Sequence, residues 1–121
     1  MHNNLRKDRG GYGENVATGY LEAKGHTILE KNYRIPNVGE IDIISMHGGY
    51  IVFVEVKYRR TTNFGRPAEA ITEQKIQKLQ HTAEYYLLEK GNACALCRFD
   101  VLEIFGREIL EINHIENAFW E

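Results

Sequence analysis

Cysteine is scarce in this chain of 121 residues: Cys94 and Cys97 stand alone, with no second pair to complete a structural zinc site. Their Cys-Ala-Leu-Cys spacing precedes a stretch of strand character, where a thioredoxin-type pair would open a helix. They therefore read as two buried strand thiols in a reducing compartment. No apolar run approaches the roughly 18 residues of a membrane span, and the polar start Met-His-Asn-Asn-Leu-Arg-Lys-Asp-Arg has no signal-peptide core. A cytoplasmic protein with no membrane partner is the expectation. Repeats, low-complexity tracts and linkers are also missing, which leaves one domain over residues 1–121, with 1–9 a loose basic tail. Nor is there an excess of positive charge. A formal net charge of −2 argues against the chain-wide basic surface of many pure nucleic-acid binders. The histidines are scattered, with no metal-ligand spacing among them.

What the chain does have is Gly39 to Lys57, Gly-Glu-Ile-Asp-Ile-Ile-Ser-Met-His-Gly-Gly-Tyr-Ile-Val-Phe-Val-Glu-Val-Lys. Its period-2 alternation predicts two strands, and Gly48-Gly49 is a favoured two-residue hairpin turn. With His47 facing Tyr50, pairing outward sets Asp42 opposite Glu55 and Glu40 opposite Lys57. Like charges directly opposed on a ladder destabilise it, so something must compensate Asp42 and Glu55. A hard divalent cation fits, because Mg²⁺ takes oxygen ligands and is often held by one or two carboxylates plus substrate phosphates. Lys57 projects from the same face as Glu55, placed to serve an attacking water or a phosphate in flight. The competing reading is a solvated face with a Glu40–Lys57 ion pair. Ile44, Ile51 and Phe53 on that face argue that it is covered.

Around this hairpin the periodicity predicts an α/β unit with a central mixed sheet and flanking helices. A helix from Gly13 carries Val16, Ala17, Tyr20 and Leu21 at helical spacing. Glu14 at its start either faces the hairpin or favours the macrodipole. A strand over 26–34 precedes the acidic hairpin, giving a three-stranded meander. After Lys57 comes the polar loop Tyr-Arg-Arg-Thr-Thr-Asn-Phe-Gly-Arg-Pro. There Arg59, Arg60 and Arg66 suit phosphate contact, as does Lys75 beyond it, while Phe64 suits base stacking or anchors the loop. Thr72 is a good N-cap for a long helix over 73–90, with Ile76, Leu79, Ala83, Tyr86 and Leu87 as its apolar stripe. A final hairpin turns around Gly106-Arg107, with Asp100 in a structural role.

Three blocks carry a resemblance: Gly-Glu-Ile-Asp-Ile-Ile, Val-Phe-Val-Glu-Val-Lys-Tyr-Arg, and Phe-Gly-x-Pro-Ala-Glu-Ala-Ile. They resemble the signature blocks of the YraN-like family of small bacterial proteins, itself similar to PD-(D/E)XK nucleases of the archaeal-type Holliday-junction resolvase kind. The likeness spans Gly13-Glu14 to Ala118-Phe119. Val38-Gly39-Glu40 stands where many members of the nuclease superfamily have Pro-Asp, so the aspartate role falls to Asp42. The resemblance implies a restriction-endonuclease-like core and Mg²⁺ or Mn²⁺ as cofactor. Asp42, Glu55, Lys57 and Glu14 would be catalytic, with Gln74 or Lys75 early in the following helix pointing at the centre, and Asp42, Glu55, the Val56 carbonyl and Glu14 around the metal. It implies DNA, branched or nicked, as substrate and a homodimer as one possible assembly. The expected function is thus a metal-dependent endonuclease. Its rivals are a binding module that keeps the fold without cleavage and an interaction protein whose hairpin charges are surface pairs.

Overall fold

Alternating apolar strands flanked by two amphipathic helical segments fold here into a layered α/β arrangement. The computed structural model describes residues 2–59, 71–92, 94–106 and 108–118. In chain order these form α1 (His2–Ala23), β1 (Thr27–Ile35), β2 (Gly39–His47), β3 (Tyr50–Arg59), α2 (Glu73–Glu89), β4 (Cys97–Gly106) and β5 (Leu110–Ile115). The strands make one five-stranded sheet in the order β1-β2-β3-β4-β5. β1, β2 and β3 are an antiparallel meander, β3 and β4 run parallel, and β5 returns antiparallel. The parallel step needs a crossover, and α2 lies within it.

The two faces of the sheet are covered by different helices. Leu79, Ala83, Tyr86 and Leu87 of α2 pack on Ile41, Ile44, Ile51, Phe53 and Phe99. Ala17 and Leu21 of α1 pack on Ile43, Val52, Val54, Leu102 and Ile104. Burial on both faces explains why β3 reads Ile-Val-Phe-Val, nearly continuous in apolar residues, rather than alternating with polar ones. Thr72 caps α2, its side-chain oxygen accepting from the Lys75 N–H at 3.1 Å.

Three sequence expectations need correction. α1 starts at His2 rather than Gly13; residues 2–9 hold no proline and include the good helix formers Leu5, Arg6 and Lys7. Cys94 is exposed and precedes β4, and Cys97 is partly buried, so they are not a pair of buried strand thiols. The hairpin register also stops short. Gly48 and Gly49, at φ 57° and 85°, form the expected turn with His47 facing Tyr50. Pairing then runs to Ile43 opposite Val54 and ends there. Ile41 belongs to the α2 cluster and Ile43 to the α1 cluster. Strict alternation therefore breaks between them, at Asp42. On the other side of β2, Lys31 faces Ile43 and Tyr33 faces Ile41, and Asn32, between them, has left-handed backbone at φ 53°. Both strands turn over at the same level.

Candidate active site

The break in the ladder is a consequence of Asp42 using its side chain where a backbone carbonyl would ordinarily serve. The Val56 N–H donates to Asp42 Oδ2 at 2.8 Å, drawing the carboxyl into the gap between β2 and β3. Glu55, the residue before Val56, is buried among strands. Burial, hydrogen bonding with Glu55 and repulsion from its charge together push the Asp42 carboxyl up to about 8, against the opposing donation from Val56; Glu14 adds a further push in the same direction. At neutral pH Asp42 therefore carries a proton beside Glu55.

Two cations balance Glu55. Lys75 Nζ lies 3.4 Å from Glu55 Oε2, and Lys57 Nζ lies 3.9 Å from the same oxygen. Neither makes a hydrogen bond to it: Glu55 Oε2 is buried with no such partner among the described residues. The cluster thus joins β2, β3 and the first turn of α2. Its donor set is hard oxygen, with one buried oxygen unsatisfied and a neighbouring carboxyl holding a proton that a cation would displace. That chemistry fits a magnesium-type ion held by two carboxylates and completed by water and phosphate. It does not fit a metal cage built by protein alone, since among the described residues no group of three or more His, Cys, Asp or Glu side chains is placed to hold a metal.

The predicted residues divide clearly. Asp42 and Glu55 meet, though through side chains and the Val56 N–H rather than as a ladder pair. Lys57 joins them. Glu40 does not face Lys57; it is exposed and stands opposite Arg34 of β1. Glu14 of α1 is partly buried and close enough to raise the Asp42 carboxyl, and its Oε2 accepts from Asn32 Nδ2 at 3.0 Å. Of the early residues of α2, Lys75 reaches the carboxylates while Gln74 is exposed. Arg60, Phe64 and Arg66 lie outside the described residues, and Arg59 is described only as backbone of β3. Sequence reasoning missed Asn32. Its signal was available: asparagine is depleted in strands and tolerates left-handed backbone, yet it sits in the middle of one.

At the turn end of the sheet, remote residues make a second polar cluster. Asp100, fully buried, accepts from Arg98 Nε at 3.0 Å and from the Asn117 N–H at 3.0 Å, and contacts His114 Nε2 at 2.7 Å. His26 stacks on His47 with ring centroids 4.1 Å apart, and its Nδ1 lies 2.9 Å from Ser45 Oγ. Histidines scattered in sequence are thereby gathered by the fold. Asp100 has the structural role expected of it.

Comparison with known proteins now places the chain. Residues 13–104 match the family described as uncharacterised protein family UPF0102. A UPF0102 protein of Clostridioides difficile is 46% identical over 113 residues, covering 93% of this chain and 97% of that protein. One from Clostridium novyi is 45% identical over 123 residues, covering 96% and 98%. A third, from Caldicellulosiruptor saccharolyticus, is 43% identical over 117 residues, covering 94% and 98%. The matched segment holds α1 from Gly13 onward, the acidic hairpin, α2 and most of β4, so the carboxylates and both lysines lie in the shared part, and the chain belongs to the UPF0102 (YraN-like) family.

Proposed function

We propose that this protein is a metal-dependent endonuclease with a restriction-endonuclease-like core, hydrolysing DNA phosphodiester bonds, branched or nicked DNA being its substrate class. The observation that carries this reading is half-buried Asp42 beside buried Glu55 at a broken ladder, flanked by Lys57 and Lys75. A carboxyl whose ionisation is shifted this far by desolvation and an acidic neighbour is a mark of functional sites. A backbone irregularity at the same level on two adjacent strands is another. Asp42, Glu55 and the Val56 carbonyl would hold Mg²⁺ or Mn²⁺, with Glu14 adding negative charge from α1. When bound, such an ion supplies a more acidic water and neutralises phosphate charge. Lys57 orients the attacking water towards phosphorus, and Lys75 stabilises negative charge growing on the non-bridging oxygens. A two-fold symmetric junction needs two cuts, which makes a homodimer the matching assembly.

A second reading has its own support. Lys57 and Lys75 already balance Glu55, so the fold tolerates the buried acid without a metal. In that case the protein is a nucleic-acid-binding module that retains the core without cutting. The experiment that separates the two is cleavage of single-stranded, duplex, nicked, flap and four-way-junction DNA with Mg²⁺ or Mn²⁺. Asp42→Asn, Glu55→Gln and Lys57→Ala should each lower the rate by about a hundredfold or more while the chain stays folded. Comparable rates in all three would sink the enzyme; binding without any cutting would favour the module.

A further inference from the structure

Between the β1–β2 turn and the outward side of α2 lies a feature that the carboxylates leave unused. A groove of about 500 Å³ has Arg34, Val38 and Glu40 on one wall and Lys75 and Lys78 on the other. A second hollow of about 500 Å³ shares Val38 and Lys78 with it and continues along α2 to Tyr85. The two form a single trough. Lys75, at one end, is the residue whose Nζ stands 3.4 Å from Glu55 Oε2, so the trough opens beside the acidic pair. Tyr85, at the other end, is 51% exposed.

The charge in this trough differs from that of the chain. The first hollow sets three cations, Arg34, Lys75 and Lys78, against Glu40 alone, and with Glu84 of the second hollow the trough still has three cations to two carboxylates, although the whole chain carries −2. Arg34 and Lys78 are both exposed, and neither is in an ion pair with a described residue. Lys75, Lys78 and Tyr85 share one stripe of α2 at helical spacing. From Lys75 to Tyr85 is about 15 Å at the helical rise. That is the length of a few nucleotides at about 3.4 Å or more each. A duplex keeps its bases stacked on one another and offers no ring to Tyr85. An unpaired strand offers both phosphates and an open base face, and basic residues interleaved with an exposed aromatic are how such strands are held.

We propose that this trough holds a single-stranded nucleic-acid segment running away from the acidic pair, with Arg34 and Lys78 on its phosphates and Tyr85 against a base. As a substrate track it rests on the nuclease reading, whereas the binding itself does not depend on cleavage. The test is fluorescence anisotropy of a short labelled single-stranded oligonucleotide with the full chain, without divalent cation, over a range of salt. The unaltered chain should bind it more tightly than a blunt duplex of equal length. The double variant Arg34→Ala/Lys78→Ala should lose affinity and flatten the dependence of log affinity on log salt by about 1.4, at about 0.7 per phosphate contact on a single strand. Tyr85→Ala should weaken binding about tenfold with the salt slope unchanged. These side chains are exposed, and an unchanged melting temperature verifies that each variant is folded. If both variants bind as the unaltered chain does, or if the unaltered chain binds no single strand, the trough is not the track. Asp42-dependent cleavage with binding indifferent to these variants would overturn the trough and keep the nuclease. Loss of binding in the variants of a chain that cuts nothing would keep the trough and overturn the nuclease.

Discussion

Asn32 shows how one residue can hold a site together without belonging to its chemistry. Its φ of 53° lets β1 turn over where β2 turns over at Asp42, and its Nδ2 donates to Glu14 Oε2. Those two tasks can be separated by substitution. Asn32→Gly accepts the left-handed backbone and loses only the bond to Glu14, so its stability should fall by about 1 kcal/mol or less. Asn32→Val keeps neither, and a β-branched residue in that region costs on the order of 1–3 kcal/mol. Thermal unfolding of the pair measures this, and equal losses would show that backbone conformation at Asn32 is immaterial. Asp42 gives a complementary case. With its carboxyl at about 8, it carries a proton in the fold at neutral pH that the unfolded chain, near 3.8, has released. Folding therefore loses stability from this group as pH rises from about 4 to 8. Asp42→Asn, an uncharged isostere, should remove that decline, leaving the melting temperature at pH 8 above that of the unaltered chain; a lower one would contradict a protonated Asp42.

At the scale of elements, the site depends on how closely α2 approaches β2. Gly39 opens β2, and a Cβ there would stand 2.5 Å from Thr82 Oγ1 and 3.2 Å from the Lys78 carbonyl oxygen. Thr82 cannot swing aside freely, being buried with its hydroxyl donating to that same carbonyl at 2.7 Å. Gly39→Ala must therefore push the helix outward, at a cost of about 1–3 kcal/mol. Since α2 carries Lys75 towards Glu55, the same substitution should reduce the cleavage proposed for this site beyond its effect on stability. Cleavage at a temperature well below unfolding checks this, and full activity would mean that the Lys75 contact is dispensable. The sequence made much of this level legible. The Gly-Gly turn, the meander, the Thr72 cap and the apolar stripe of α2 follow from local rules. What it hid was the end of the ladder at Ile43, because period-2 reasoning assumes that backbone pairs with backbone. At Asp42 a side chain takes over that role, and the faces of Ile41 and Ile43 part company. Gln74 and Lys75 are neighbours on a helix, and only the pose of α2 decides that Lys75 is the one that reaches Glu55.

For the whole molecule, the acidic pair midway along β2 and the histidine cluster at its His47 end respond to acid in opposite directions. The cluster could not be read from the sequence, since His26, His47 and His114 come from separate strands and loops and meet only after the sheet is built. His26 is lowered to about 4 by burial, then by His47, Arg98 and His114, with Asp100 pulling weakly the other way. The unfolded chain takes up this proton near 6.5, the folded chain only near 4, so the stability that neutral His26 contributes is complete above about 6.5 and drains away as pH falls to 4. Asp100 adds to the loss at still lower pH. Burial opposes its ionisation, but the bonds from His114, Arg98 and Asn117 outweigh it and hold the carboxyl below its usual range. Asp42 works the other way between 8 and 4, so the two sites partly cancel in the unaltered chain. In the Asp42→Asn chain that cancellation is gone, and the melting temperature should fall by several degrees between pH 6.5 and 4. Adding His26→Gln, which keeps a polar side chain beside Ser45 and cannot be charged, should flatten the fall. If the decline is as steep with glutamine at this position, acid destabilises the protein through some other group, and the histidine stack is a packing feature alone.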